Sequence, residues 1–368
     1  MLIRGWYQRN AGAFSSIRTE AKRSRDPLPL ASAANLPLFL CGLAALNEAM
    51  ASLHHPSVSR RQFVTTLGAA TLLAPALVRA ADAPGKAKKA ATPAAAPMTP
   101  IVFEKRKPFL GLELYSVRGE MQKDLAKTVR AVGKMGYEAV EFYSPYLGWS
   151  FSYTKDVRRL IDDLGLRCLS THNSSAALTD PGTMAKSIEL NQILGCRHII
   201  CASPPRGVNG TDGWKKLGEQ FTAASEQLKS HGLAAGYHNH ASEWKPAQEG
   251  GPRMLEILAA NTPPEFALQL DVGTALESGA DTVAWIKANP GRIKSVHLKD
   301  WTPGTREAEK SYRVLFAEGV APWKEIFAAA ESVGGVENYL IEQEGSRYPE
   351  LETVQRCLAT LKKMRGVS

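Results

Sequence analysis

From residue 109 onward, short apolar runs alternate with amphipathic stretches, and that alternation leaves few architectures open. The runs are "FLGLELYSV" (109–117), "AVEFYSP" (139–145), "RCLSTHN" (167–173), "HIICAS" (198–203), "AAGYHNH" (234–240), "FALQLDVG" (266–273), "IKSVHLKD" (293–300) and "NYLIEQE" (338–344). Their length and the turn residues that bound them, Gly136, Gly165, Gly195 and Gly232 among these, mark them as strands. Between them, "DLAKTVRAVGKMG" (124–136) places Leu125, Val129 and Val132 at i, i+4 and i+7 and ends on a glycine suited to a helix C-terminus. "TMAKSIELNQILG" and "PWKEIFAAAESVGG" follow the same plan, and "ELETVQRCLATLKKM" closes the chain. Eight βα units in about 260 residues predict a (β/α)8, or TIM, barrel over 108–368. A doubly wound open sheet is the alternative, but no G-x-G-x-x-G follows the first strand.

A barrel of this kind carries its chemistry at the C-terminal ends of the strands. Those ends hold Glu113 and Tyr115, Glu141 and Tyr143, His172 and Asn173, Ser203, His238 and His240, Asp271, His297 with Lys299 and Asp300, and Glu342 with Glu344. Solvated strand ends are polar, but these are unusually rich in His, Asp and Glu. In "GYHNH" the one-residue spacing puts His238 and His240 on one face of a strand. Several readings stay open here. Either histidine could be a core residue bonded to backbone. Asp271 could cap the next helix. Lys299 and Asp300 could form a surface ion pair. Trp149, Trp244, Trp301 and Trp323 fall in loops or at a helix start, where they could stack on a bound ring or simply pack.

Ahead of the barrel, "SRRQFV" (59–64) is followed by an uncharged "VTTLGAATLLAPALV" and then "VRAADA". The layout is that of a twin-arginine export signal over 50–83, cleaved near Ala80–Ala83. It implies passage through the twin-arginine translocase and a periplasmic destination. The apolar stretch is too short for a stable membrane anchor. Met50 opens a leader of ordinary length, so 1–49 reads as an N-terminal extension, and the Ala/Pro/Lys-rich 84–107 reads as a disordered linker. The chain's net charge of +9 belongs to these segments, because 109–368 holds 30 basic and 31 acidic residues. That gives nucleic-acid binding no electrostatic support. Five cysteines without a C-x-x-C pair are too few for a disulfide scaffold, and Cys168 and Cys201 read as small buried hydrophobes.

"LELYSVR", "GYEAVEFY", "THNS", "GYHNHASEW", "LQLDVGTA", "SVHLKD" and "YLIEQEG" together, in this order and spacing, resemble the xylose isomerase-like TIM barrels, the sugar phosphate isomerase/epimerase group. The resemblance implies one divalent metal ion held by residues from the later strands. Asp271, His297 and Glu342 match the family's last three ligands. His238 stands where many epimerases carry Glu, so the implied set is His238, Asp271, His297 and Glu342. Two histidines with two carboxylates suit Mn²⁺ or Zn²⁺, with Co²⁺ or Fe²⁺ also possible, better than Mg²⁺ or Ca²⁺. His240 is expected as a second ligand, a substrate contact or a supporting group.

The resemblance also implies proton movement beside a carbonyl. The leading base is Glu342, favoured over Glu344, with Lys299 or His240 shuttling protons or stabilising charge. Expected substrate contacts are Tyr115, Glu141, His172, Glu243, Trp244, Trp301 and Glu344. With histidine at 238 one of the paired bases of an epimerase is gone, which keeps two reactions in view: sugar isomerisation or epimerisation, and an inosose-dehydratase-like or keto-glycoside elimination. Export favours a non-phosphorylated sugar or keto-sugar. A non-catalytic sugar-binding barrel is the alternative of another class, and it would not need a complete ligand set. The oligomeric state is left open.

Overall fold

The computed structural model describes residues 107–304 and 311–367. The expected extension, export signal and linker lie outside the described residues. Eight strands, β1 (Phe109–Glu113), β2 (Ala139–Phe142), β3 (Arg167–Asn173), β4 (His198–Cys201), β5 (Ala234–His238), β6 (Ala267–Asp271), β7 (Ser295–Leu298) and β8 (Asn338–Ile341), pair in parallel in sequence order, and β8 closes on β1. This is the (β/α)8 barrel expected from the sequence.

Except for β3, which fills its run, the strands are shorter than the apolar runs that announced them. β1 stops at Glu113, and the chain turns into a 3₁₀ helix over Leu114–Val117 that carries Tyr115. β5 stops at His238, and His240 caps a second 3₁₀ turn, Ala241–Trp244. In each case the run passes the last ladder bond and becomes part of the mouth. The helices follow their patterns: Leu125–Met135 is capped by Asp124 and ends on left-handed Gly136. Four cysteines of the described residues are buried and unpaired. No helix among the described residues is long and apolar enough to cross a membrane.

Strand alternation separates two cores. Tyr237 on β5 faces outward and meets Trp214 and Phe221 of the helix Gly210–Lys229. Its neighbours Gly236 and His238 face inward. The interior is narrow, and small residues make room in it. A Cβ on Gly236 would stand 2.4 Å from Ile200 Cδ1, and one on Gly111 would stand 2.7 Å from Leu340 Cδ2. The barrel floor is thus filled by Ile200 and Leu340 against glycines, and the polar residues are stacked above it.

Candidate active site

The register of the parallel ladder sets neighbours side by side on the inner wall. Glu113 pairs with Glu141, His238 with Gln269, and Asp271 with His297. Because inward residues recur every second position, Gln269 and Asp271 share one column, as do His297 and Lys299. The outcome is a buried polar cluster at the C-terminal end of the barrel. Glu113, Glu141, Asp271 and His297 have no exposed surface.

Three ligand-type atoms, one each from His238, Asp271 and Glu342, lie within 4.8 Å of one another. His238 Nε2 is 3.6 Å from Asp271 Oδ2. Asp271 Oδ1 accepts the Thr274 amide at 3.1 Å, so the residue does cap the following helix as well. Oδ2 receives no well-directed hydrogen bond, although Lys299 Nζ stands 2.9 Å away. A carboxylate oxygen without a directed hydrogen bond, an imidazole nitrogen and a second carboxylate converging on one point form a donor set that fits a divalent cation.

His297 borders this set as a bridge. Its Nδ1 bonds Glu342 Oε2 at 2.8 Å and its Nε2 bonds Glu141 Oε2 at 2.7 Å. Burial alone would lower its pKa, but the two carboxylates outweigh it and raise the value to about 9. Burial opposes ionisation of Glu342 too, yet Lys299 and His297 hold its carboxyl well below the usual range. His238 has no such support: burial, then the neighbouring histidines, push it well below its ordinary value, so the ring is neutral.

Lys299 is 1% exposed and completes the charge balance. Its Nζ contacts Asp271, Glu342 at 3.5 Å and Glu344 at 2.6 Å. Burial disfavours its charge, but these three acids reverse the sign and raise its pKa well above normal. The surface Lys299–Asp300 ion pair that the sequence left open does not form. The two residues point to opposite sides of the wall, and Asp300 accepts N–H bonds from Trp301, Ala317, Gly319, Ala321 and the Trp323 indole.

The other expected site residues divide. The His240 ring lies 4.9 Å from the His238 ring, so the one-residue spacing brings them together even though the strand has ended. Tyr115 and Trp301 are half-buried at the mouth, and Tyr115 packs edge-on against Tyr143 at 5.4 Å. Glu344 reaches Lys299 from a partly exposed position. Glu141 and His172 are committed below: Glu141 to His297 and Gln269, His172 to Gln269 at 2.6 Å. Two expected substrate contacts are not at the site. Glu243 braces the β5 loop, taking bonds from Tyr237, Ser242 and the His240 amide. Trp244 is 3% exposed and packs on Trp285 of the helix Thr282–Ala288. Both belong to the wall behind the mouth, because the 3₁₀ turn directs them back over the outward face of β5. Trp323 likewise sits in the outer core, stacked near Phe316 and Phe327.

Sequence reasoning missed Gln269, whose amide touches His172, His238, Glu141 and Ser295. Its position two residues before Asp271 was the available signal. It named Glu113 at the end of β1 but gave no role to this carboxyl, whose Oε2 is buried without a hydrogen-bond partner. Burial and the Glu141 charge raise its pKa well above normal.

The sequence model of the xylose isomerase-like TIM barrel family matches residues 129–364. The chain belongs to this family. An Escherichia coli protein provisionally named an L-ribulose-5-phosphate 3-epimerase is 31% identical over 184 residues, 47% of this chain and 61% of that relative. An inosose dehydratase of Mesomycoplasma hyopneumoniae is 30% identical over 127 residues, 34% of this chain and 40% of the relative. The matches to these curated relatives thus cover less than two thirds of their length. Among solved structures, a sugar phosphate isomerase/epimerase from Parabacteroides distasonis superposes with a TM-score of 0.60 at 25% identity, covering 72% of this chain and 96% of that one.

Proposed function

We propose that this protein is a metal-dependent sugar isomerase or epimerase that moves a proton beside the carbonyl of a non-phosphorylated sugar or keto-sugar. The observation that carries the reading is the convergence of His238, Asp271 and Glu342 within 4.8 Å, next to His297 and a buried lysine. His238, Asp271 and Glu342 would hold the cation, and His297, whose two ring nitrogens bond Glu342 and Glu141, would give up one of those bonds to join them. A bound divalent cation supplies Lewis-acid polarisation of the substrate oxygens.

The chain's own residues do the proton work. Glu342 is ionised and takes the proton from the carbon next to the carbonyl. His297 and Lys299 hold its charge and orientation. Lys299 or His240 then returns a proton to the neighbouring oxygen or carbon. Tyr115, Trp301 and Glu344 line the approach and meet the sugar's hydroxyls and ring face. The relatives named as an epimerase and a dehydratase support chemistry that begins with the same proton removal. The twin-arginine pair Arg60–Arg61 supports a periplasmic destination for the enzyme, which favours free sugars as substrates.

The second reading is elimination, in which a hydroxyl or glycosidic oxygen β to the carbonyl leaves after proton removal. It is favoured by Lys299, an ammonium 3.5 Å from the base and able to protonate a leaving oxygen. One experiment separates the readings. Purified protein is loaded with Zn²⁺ or Mn²⁺, metal is counted, and free aldoses, ketoses and 3-keto-sugars are incubated with it in D₂O. Deuterium in a product isomeric with its substrate supports the first reading, and an unsaturated product supports the second. Sugar binding without exchange at any carbon overturns both in favour of a binding barrel.

A further inference from the structure

Gln269 sits between three histidine-bearing strands, and its amide can face only one way. Its Nε2 lies 3.0 and 3.3 Å from the two oxygens of Glu141 and 2.8 Å from Ser295 Oγ. Both Glu141 oxygens lie within reach of that one nitrogen, and its Oε2 is also bonded to His297 Nε2, the arrangement of an accepting carboxylate. A reversed amide would set oxygen against oxygen there. Gln269 Oε1 therefore points at the histidines, 2.6 Å from His172 Nε2 and 2.9 Å from His238 Nδ1. A carbonyl oxygen cannot donate, so both of those ring nitrogens carry hydrogen.

The consequences differ for the two rings. With its hydrogen on Nδ1, the His238 ring turns Nε2 toward Asp271 Oδ2, 3.6 Å away. The His172 ring meets it edge-on with centroids 4.4 Å apart, and three histidines at this point could each compete for a cation. But the His172 nitrogen that lies 3.8 Å from Glu141 is Nε2, the one that donates to Gln269.

We propose that Gln269 is a positioning residue that selects the metal-binding histidine, fixing His238 as the Nδ1–H tautomer with Nε2 offered to the cation and keeping His172 out of the ligand set. This rests on the metal-site reading above. A hydrogen bond to the far nitrogen of a ligating histidine sets its tautomer, ring angle and basicity, and losing such a partner typically weakens metal binding by about 10–100-fold. Ser295 and Glu141 act one step further back, by holding the amide the right way round.

The test combines Zn²⁺ titration calorimetry with ¹⁵N-histidine NMR, which distinguishes the two tautomers. In metal-free wild type, His238 should be Nδ1–H and His172 Nε2–H. On adding Zn²⁺, the Nε2 resonance of His238 should shift and both His172 nitrogens should keep their assignment. Gln269→Leu should lose the single His238 tautomer and raise the Zn²⁺ Kd about 10–100-fold. A wild-type His238 found as Nε2–H, a metal shift at His172, or a folded Gln269→Leu binding Zn²⁺ as wild type does would each overturn the inference while leaving the metal site standing. Wild type that binds no Zn²⁺ overturns the site and the inference together. The wild-type spectra decide the matter even if Gln269→Leu does not fold.

Discussion

Asp271 and Asp300 are both wholly buried carboxylates at the C-terminal end of neighbouring strands, and they have opposite surroundings. Asp300 faces outward and is satisfied by five N–H donors, four from backbone amides of the β7 loop and one from Trp323. Asp271 faces inward, caps a helix with one oxygen and leaves the other without a directed bond, among Lys299, His238 and Glu342. Burial of a carboxylate is costly unless hydrogen bonds offset it. Where the offset is complete, the residue is holding structure. Where it is left incomplete beside other donors, something else is expected to complete it, and the inner cluster is where a ligand belongs.

Four substitutions test that contrast. The largest effect is expected on the inner side. Glu342→Gln keeps size but cannot take a proton, so solvent deuterium exchange by the metal-loaded protein should fall by about 10²–10⁴-fold with the fold intact. Exchange at the wild-type rate would move the base to Glu344 or His240. On the outer side, Asp300→Ala strips five donors of their acceptor and should cost on the order of 3 kcal/mol or more in denaturant unfolding. A loss under about 1 kcal/mol would mean the loop finds water instead.

Gly319→Ala probes the same anchor more gently. A Cβ there would lie 2.1 Å from Asp300 Oδ1 and 2.3 Å from the Trp301 carbonyl. The loop must shift, and the expected cost is about 1–3 kcal/mol. The smallest stability effect belongs to Asp271→Asn. Asparagine still caps the helix, so metal-free stability should change by no more than about 1 kcal/mol, while metal stoichiometry drops. If Asp271→Asn instead matched Asp300→Ala in cost and still bound metal, Asp271 would be a structural residue and the contrast would be wrong.

Much of this was legible in the sequence, and the parts that were not share a cause. Eight runs with intervening amphipathic helices specify the barrel, because parallel strands buried on both faces need continuous apolar stretches. His238, Asp271, His297, Lys299 and Glu342 could be named because they end such runs. Glu243 and Trp244 were misplaced because a strand's two-residue alternation was carried past His238. There the chain enters a 3₁₀ turn and points the next side chains behind the wall. The Lys299–Asp300 ion pair that their adjacency left open is absent because neighbouring residues in extended chain send their side chains to opposite faces.

The sequence by itself determined the strand and helix order, the closed parallel topology and which residue types gather at the mouth, since these follow from periodicity and turn chemistry. Only the tertiary structure decided which of those residues meet. Register sets Gln269 beside His238 and Asp271 beside His297, and barrel closure brings Glu141 from β2 to His297 on β7 across 156 positions of chain. Ligand geometry and tautomer depend on distances of a few tenths of an ångström between strands remote in sequence, and no local pattern encodes them.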